Sequence, residues 1–183
     1  MVLTAKIVFQ SVLSVITIYS FLGFESTGPL AWTFCLKNGR IKPQMRTSSL
    51  NLSQVQALAA EISKNQKKYG RIIGLVGPLG AGKTAFTQAL AKSMGIDQAK
   101  SPTFVLIHCY QGSKNSLYHI DLYRLEREAQ LDALELDEIF NDQESMVVIE
   151  WVDKFPKLMK RCDTIIKFEI LPNNLRNVTV TEK

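Results

Sequence analysis

Residues 71–94 read RIIGLVGPLGAGKTAFTQALAKSM, and this stretch decides the fold. Ile72 to Val76 is a short apolar run rich in β-branched side chains, the form of a strand buried on both faces in a parallel sheet. Gly77, Pro78, Leu79, Gly80, Ala81, Gly82, Lys83 and Thr84 follow without a break and match G-x-x-x-x-G-K-T in full. Ala85 to Met94 holds good helix formers and ends at Gly95, a natural helix stop. In a strand, loop and helix of this order the glycines let the backbone curl with its N–H groups aimed at phosphate oxygens, and the helix N-terminus adds its positive dipole end. Lys83 then reaches the β- and γ-phosphates, the Thr84 hydroxyl is placed for magnesium, and Ala85 offers only its backbone N–H. A glycine-rich turn without a ligand is the competing reading, and the full motif in its required context outweighs it.

Outward from the loop, two further strands end in acids. Leu117 to Asp121 (LYHID) and Met146 to Glu150 (MVVIE) both place a carboxylate at a C-terminal strand end. In an open α/β sheet such ends face the ligand crevice, so Asp121 and Glu150 are candidates to address magnesium or an attacking water, against the alternative of a solvated strand-end acid or helix cap. His119 alternates with Asp121 on one strand face and reads as a structural histidine, as does His108. In Ser101-Pro102-Thr103-Phe104, the proline keeps Ser101 extended and exposes the hydroxyl of Thr103, where many P-loop hydrolases keep a nucleotide-sensing loop. Residues 104–110 and 116–123 flank a five-residue turn at 111–115, a hairpin pattern that makes part of the sheet antiparallel.

The rest of the chain completes an α/β domain. Ser53 with Gln56 reads as a capping box for a helix from Ser53 to Asn65, whose inner face is Val55, Leu58, Ala59 and Ile62. Arg127 to Phe140 reads as one acidic helix, and Thr164 to Leu171 and Arg176 to Thr181 as strands joined across Pro172-Asn173-Asn174. The expected fold is an α/β, P-loop NTPase-type three-layer domain with a mixed, partly antiparallel central sheet, occupying residues 49–183 behind an extension of residues 1–48.

The net charge of +5 does not indicate a basic groove. Lys6, Lys37, Arg40, Lys42 and Arg46 against Glu25 give the extension +4 and leave +1 for everything beyond it. From Asp121 to Asp153 eleven acids face only Arg124 and Arg127, a stretch that repels RNA phosphates, so direct nucleic-acid binding is not expected there. Cys35, Cys109 and Cys162 lack any CxxC or metal spacing and read as buried free thiols in a reducing compartment. Ile7 to Phe24 is an uncharged stretch of eighteen residues, marginal for a membrane span and without a signal-peptide cleavage site. A start at Met45, an anchor and a transit peptide are the three readings of the extension; in the anchor reading Lys37, Arg40, Lys42 and Arg46 keep the domain cytoplasmic.

Gly77 to Thr84, Ser101 to Phe104, Tyr118 to Arg124 (YHIDLYR) and Ile149 to Trp151 (IEW), in this order and spacing, resemble the TsaE (YjeE) family of small ATPases, over about Leu50 to Val180. The resemblance implies Mg-dependent ATP hydrolysis, weak alone, in support of the threonylcarbamoyl-adenosine modification beside the anticodon of ANN-decoding tRNAs. It implies action on a TsaB–TsaD complex, with tRNA met only indirectly and membrane contact not expected outside residues 7–24. It further implies phosphate binding by Gly77 to Thr84, magnesium on Thr84 and Glu150, a functional acid at Asp121, an aromatic beside the metal-site glutamate at Trp151 and a switch-like loop at Thr103. Pro78 and Ala85 depart from the family pattern, which usually has an acid and a second threonine there; the missing hydroxyl bears on hydrolysis more than on binding.

Three other classes compete. A small-molecule kinase needs an acceptor pocket and an arginine-bearing lid, and no Arg-rich insertion follows Lys83; a GTPase needs an N-K-x-D segment, which is absent. A non-catalytic nucleotide-sensing module uses the same P-loop residues and stays open.

Overall fold

The computed structural model describes residues 15–16, 30–37, 40–97, 99, 105–113 and 115–183, with only the course of the backbone described up to residue 48. In chain order the strands are β1 (Val15–Ile16), β2 (Leu30–Lys37), β3 (Arg40–Leu50), β4 (Ile72–Val76), β5 (Ile107–Gln111), β6 (Ser116–Asp121), β7 (Met146–Glu150), β8 (Thr164–Ile170) and β9 (Arg176–Glu182). The helices are α1 (Leu52–Lys64), α2 (Gln66–Tyr69), α3 (Lys83–Ser93), α4 (Glu128–Asp132), α5 (Leu136–Asn141) and α6 (Pro156–Met159). The strands form one sheet in the order β1-β2-β3-β9-β8-β4-β7-β6-β5. Its centre, β6-β7-β4-β8, is parallel, while β5 and β9 pair antiparallel with their neighbours, which gives the mixed sheet expected.

Alternation along the central strands divides the core into two layers. Ile73 and Leu75 of β4 and Met146 and Val148 of β7 pack with Leu58, Ile62, Phe86 and Leu90 of α1 and α3. Ile72, Val147 and Ile149 turn the other way, onto Leu136, Phe140, Val152, Phe155 and Leu158. A period of two on strands buried from both sides produces the three layers. Asp163 ties down the start of β4: its Oδ2 accepts the N–H groups of Arg71 and Ile72, each at 2.9 Å.

The cap of α1 lies two residues before its expected position, and the helix itself begins at Leu52. Asn51, not Ser53, is the cap: Asn51 Oδ1 accepts the Gln54 N–H and Gln54 Oε1 accepts the Asn51 N–H, both at 3.0 Å. Leu50 and Val55 are buried in one core layer at the positions of a hydrophobic staple, and that burial selects the earlier box. At the other end of the P-loop unit, α3 stops where expected. Gly95 has φ 82°, its N–H reaches Lys92 O, and Ile96 N–H reaches Ala91 O, a Schellman closure with Ile96 buried.

The single acidic helix expected over Arg127 to Phe140 is two short helices, α4 and α5, broken at Glu135, which has φ 47°. On a continuous helix Leu136 would stand about 140° around the axis from Leu131. The break lets Leu136 and Phe140 be buried while Leu131 packs against the same layer. Between β8 and β9, Asn173 and Asn174 both adopt positive φ, as the Pro-Asn-Asn turn requires.

The expected division after residue 48 falls inside β3, which pairs with β9 from Gln44↔Thr181 to Leu50↔Arg176. Most of residues 7–24 lies outside the described residues; within it Val15–Ile16 is the strand β1, paired with β2. Among the described residues no helix is long and apolar enough to cross a membrane. Cys162 is a buried free thiol, with its acidity suppressed by burial to a pKa pushed up to about 12. Cys109 corrects the reading of buried thiols: it is exposed, on edge strand β5.

Candidate functional site

β4 delivers the chain into the phosphate loop at Gly77, whose φ is 146° and where a Cβ would lie 2.5 Å from Phe168 O, so a side chain has neither the conformation nor the space it needs. The loop turns into α3 at Gly82, φ 104°, with no side chain capping the first turn. The leading amides of a helix left in this way are donors for an anion. Lys83 opens α3 and is only 4% exposed. Its Nζ donates to Gly77 O at 2.8 Å and Pro78 O at 2.9 Å, and lies 3.6 Å from the centroid of the Trp151 ring. Burial lowers its pKa, opposed by the carboxylates of Glu150, Asp121 and Asp153.

The acids reach the loop through the sheet register. β6 and β7 are adjacent parallel strands in which Asp121 pairs with Glu150, and Glu150 pairs across its other edge with Leu75 of β4. Glu150 is buried, and its Oε2 accepts the Thr84 hydroxyl at 3.1 Å. Its Oε1 lies 2.9 Å from His119 Nε2; a carboxylate oxygen only accepts, so Nε2 carries the hydrogen. Asp121 is partly buried, and burial raises its pKa against the lowering effect of the Tyr123 N–H, which its Oδ1 accepts at 3.0 Å. Among the described residues no three His, Cys, Asp or Glu side chains converge as a metal site. Thr84 and Glu150 could hold a cation whose remaining ligands would be phosphate oxygens and water, as magnesium is usually held.

Trp151 stands at the end of β7 with φ 62°, a conformation a bulky residue adopts at a cost of about 1–3 kcal/mol and one that clusters at functional sites. Its N–H is held by Leu75 O at 3.0 Å, and its ring meets Tyr123 at 5.1 Å between centroids. Lys154 braces Tyr123, donating to its carbonyl oxygen at 2.6 Å. Tyr123 and Trp151 line one side of an open cavity of about 650 Å³, a size suited to a nucleotide-scale ligand.

Of the residues expected at the site, Leu79, Gly80, Gly82, Lys83, Thr84, Ala85, Asp121, Glu150 and Trp151 line that cavity. Gly77, Pro78 and Ala81 shape the loop behind it; Gly77 and Pro78 supply the carbonyls that hold Lys83, and Ala81 O accepts Arg176 Nε at 3.4 Å. Thr103, with the rest of residues 101–104, lies outside the described residues. Sequence reasoning passed over Tyr123 and Arg124, which line the cavity, and Lys154, which braces it. The alternation His119-x-Asp121 signalled a shared face without showing what that face meets.

A three-layer α/β domain whose central parallel strand runs into a phosphate loop, with two strand-end carboxylates beside the loop lysine, defines a P-loop NTPase-type protein. The sequence profile of the family described as threonylcarbamoyl adenosine biosynthesis protein TsaE matches residues 49–178, and the chain belongs to that family. It is 37% identical over 129 residues to the tRNA threonylcarbamoyladenosine biosynthesis protein TsaE of Aquifex aeolicus, covering 69% of this chain and 87% of that protein. To the protein of the same name from Bacillus subtilis it is 38% identical over 109 residues, covering 59% of this chain and 66% of that one. The crystal structure of Bacillus subtilis YdiB shares the fold at a TM-score of 0.59 and 29% identity, over 76% of this chain and 85% of that chain.

Proposed function

We propose that this protein binds ATP with magnesium and hydrolyses it in support of threonylcarbamoyl-adenosine formation in tRNA, acting on a TsaB–TsaD complex. The observation that carries the reading is the contact of Thr84 with Glu150, 3.1 Å, at the mouth of a loop whose lysine faces the same cavity. These residues fit the group: a hydroxyl and a carboxylate adjoin as hard oxygen ligands, and the uncapped start of α3 offers N–H donors for phosphate. Bound there, magnesium neutralises charge on the phosphates and orients them.

The chain's own groups do the rest. Lys83 exchanges the carbonyls of Gly77 and Pro78 for phosphate oxygens of the bound nucleotide. Asp121, made more basic by burial and braced by the Tyr123 N–H, orients the attacking water and accepts its proton. Tyr123 and Trp151 pack together as an aromatic wall beside the loop. The eleven acids between Asp121 and Asp153 support the reading that tRNA is met through partners and not by this face. The protein acts where tRNA is modified, on the cytoplasmic side of any membrane.

The test is reconstituted tRNA modification from threonine, bicarbonate and ATP with a cognate TsaB–TsaD pair, counting turnovers with and without this protein. Added protein should raise turnover, and Lys83→Ala should abolish the increase. Intact ATP binding with no increase would return the protein to a nucleotide-sensing role.

A further inference from the structure

Glu150 is a buried carboxylate whose two oxygens have different partners: Oε2 takes the Thr84 hydroxyl at 3.1 Å and Oε1 takes His119 at 2.9 Å. His119 sits on β6 two residues before Asp121, opposite Val148, so its ring reaches diagonally along the shared sheet face to the end of β7. It is fully buried, and among the described residues its Nδ1 has no hydrogen-bond partner. A histidine kept for polar satisfaction of the core would pair both nitrogens, because an unpaired buried polar atom is costly. Among the described residues the ring's polar partner is Glu150.

We propose that His119 is a positioning residue for Glu150: it ties Oε1 back into the sheet so that Oε2 alone is presented to Thr84 and to the cation of the bound nucleotide. The proposal rests on the magnesium reading above. Without the tie, partial rotation about the last side-chain torsion of Glu150 swings its equivalent oxygens out of line with the Thr84 hydroxyl. Partners that orient a ligating carboxylate are typically worth about ten- to a hundredfold in metal affinity.

The experiment titrates magnesium against binding of a fluorescent ATP analogue to the full chain, with binding in EDTA as the metal-free reference and the Mn²⁺ electron paramagnetic resonance signal as a second readout. His119→Leu should raise the half-saturating magnesium about ten- to a hundredfold while leaving metal-free binding unchanged. His119→Gln keeps an N–H donor at the reach of Nε2 and should restore the wild-type midpoint, whereas His119→Asn, one methylene shorter, should not. If His119→Leu fails to fold, the Gln and Asn variants decide alone: a gap between their midpoints supports the tie, and equal midpoints overturn it. A His119→Leu midpoint within twofold of wild type, with Glu150→Gln shifted, overturns the proposal and spares the magnesium reading; unshifted midpoints in both variants sink the two together.

Discussion

The ammonium of Lys83 lies 3.6 Å from the centroid of the Trp151 ring while donating to the carbonyls of Gly77 and Pro78. Lys83 is thus already bound on three sides, by its own loop and by the residue after Glu150. On the proposed function, bound ATP would draw Lys83 away from these contacts, and Trp151 would report the event. With Trp32 replaced by Phe, leaving one tryptophan, saturating Mg-ATP should change the intrinsic fluorescence of the wild-type loop and not that of Lys83→Ala. An unchanged spectrum on ATP saturation would show that Lys83 keeps its place over the ring.

Burial of Asp121 costs the fold stability at neutral pH. Its pKa is raised chiefly by burial, so the folded state binds its proton more tightly than the unfolded chain. The linked penalty is fully present above the folded pKa, shrinks as pH falls through the window between the folded and unfolded values, and is gone below the unfolded one. Asp121→Asn, which keeps an acceptor for the Tyr123 N–H, should therefore melt higher than wild type at pH 7, with the difference closing as the pH is lowered. It should also lose hydrolysis while keeping nucleotide binding. Melting curves for the two proteins that run parallel from neutral to acid pH would contradict the burial argument.

Gly77→Ala should be among the most damaging single substitutions. The added Cβ would meet Phe168 O at 2.5 Å from a backbone at φ 146°. Strain and crowding together should cost about 2–4 kcal/mol, read from urea unfolding. A loss below about 0.5 kcal/mol, the level of an ordinary surface change, would mean that the loop shifts freely away from β8.

Chains that begin at Met45 and at Asn51 separate the extension from the sheet. The first keeps the β3 pairings from Met45↔Val180 to Leu50↔Arg176, and should melt within a few degrees of the full chain and bind nucleotide. The second keeps the α1 cap but loses buried Leu50 and uncovers the edge of β9, and should melt lower and associate more readily. Equal melting temperatures for both would show that β3 contributes nothing to stability.

Much of the site was legible because its chemistry is local. Strand, glycine loop, lysine, threonine and helix are consecutive, and the acids of LYHID and MVVIE close apolar runs of strand length. The errors arose where tertiary burial chose between local options. Asn51 and Ser53 both open a plausible capping box, and only the paired burial of Leu50 and Val55 selects the first. Residues 127–140 carry a helical composition throughout, yet the positions of Leu131 and Leu136 cannot both serve one layer without the break at Glu135.

The sequence by itself determined the phosphate loop, the layered α/β class and the two acids, since each is written in neighbouring residues whose geometry follows from backbone period and glycine conformation. Only the tertiary structure decided that Thr84 and Glu150, 66 residues apart, touch, that His119 spends its hydrogen bond on Glu150, and that Trp151 in a left-handed conformation lies over Lys83. Those contacts depend on which strands adjoin and in what register, and register is fixed by the burial of whole strand faces, an energy shared across the sheet and not carried by any one segment.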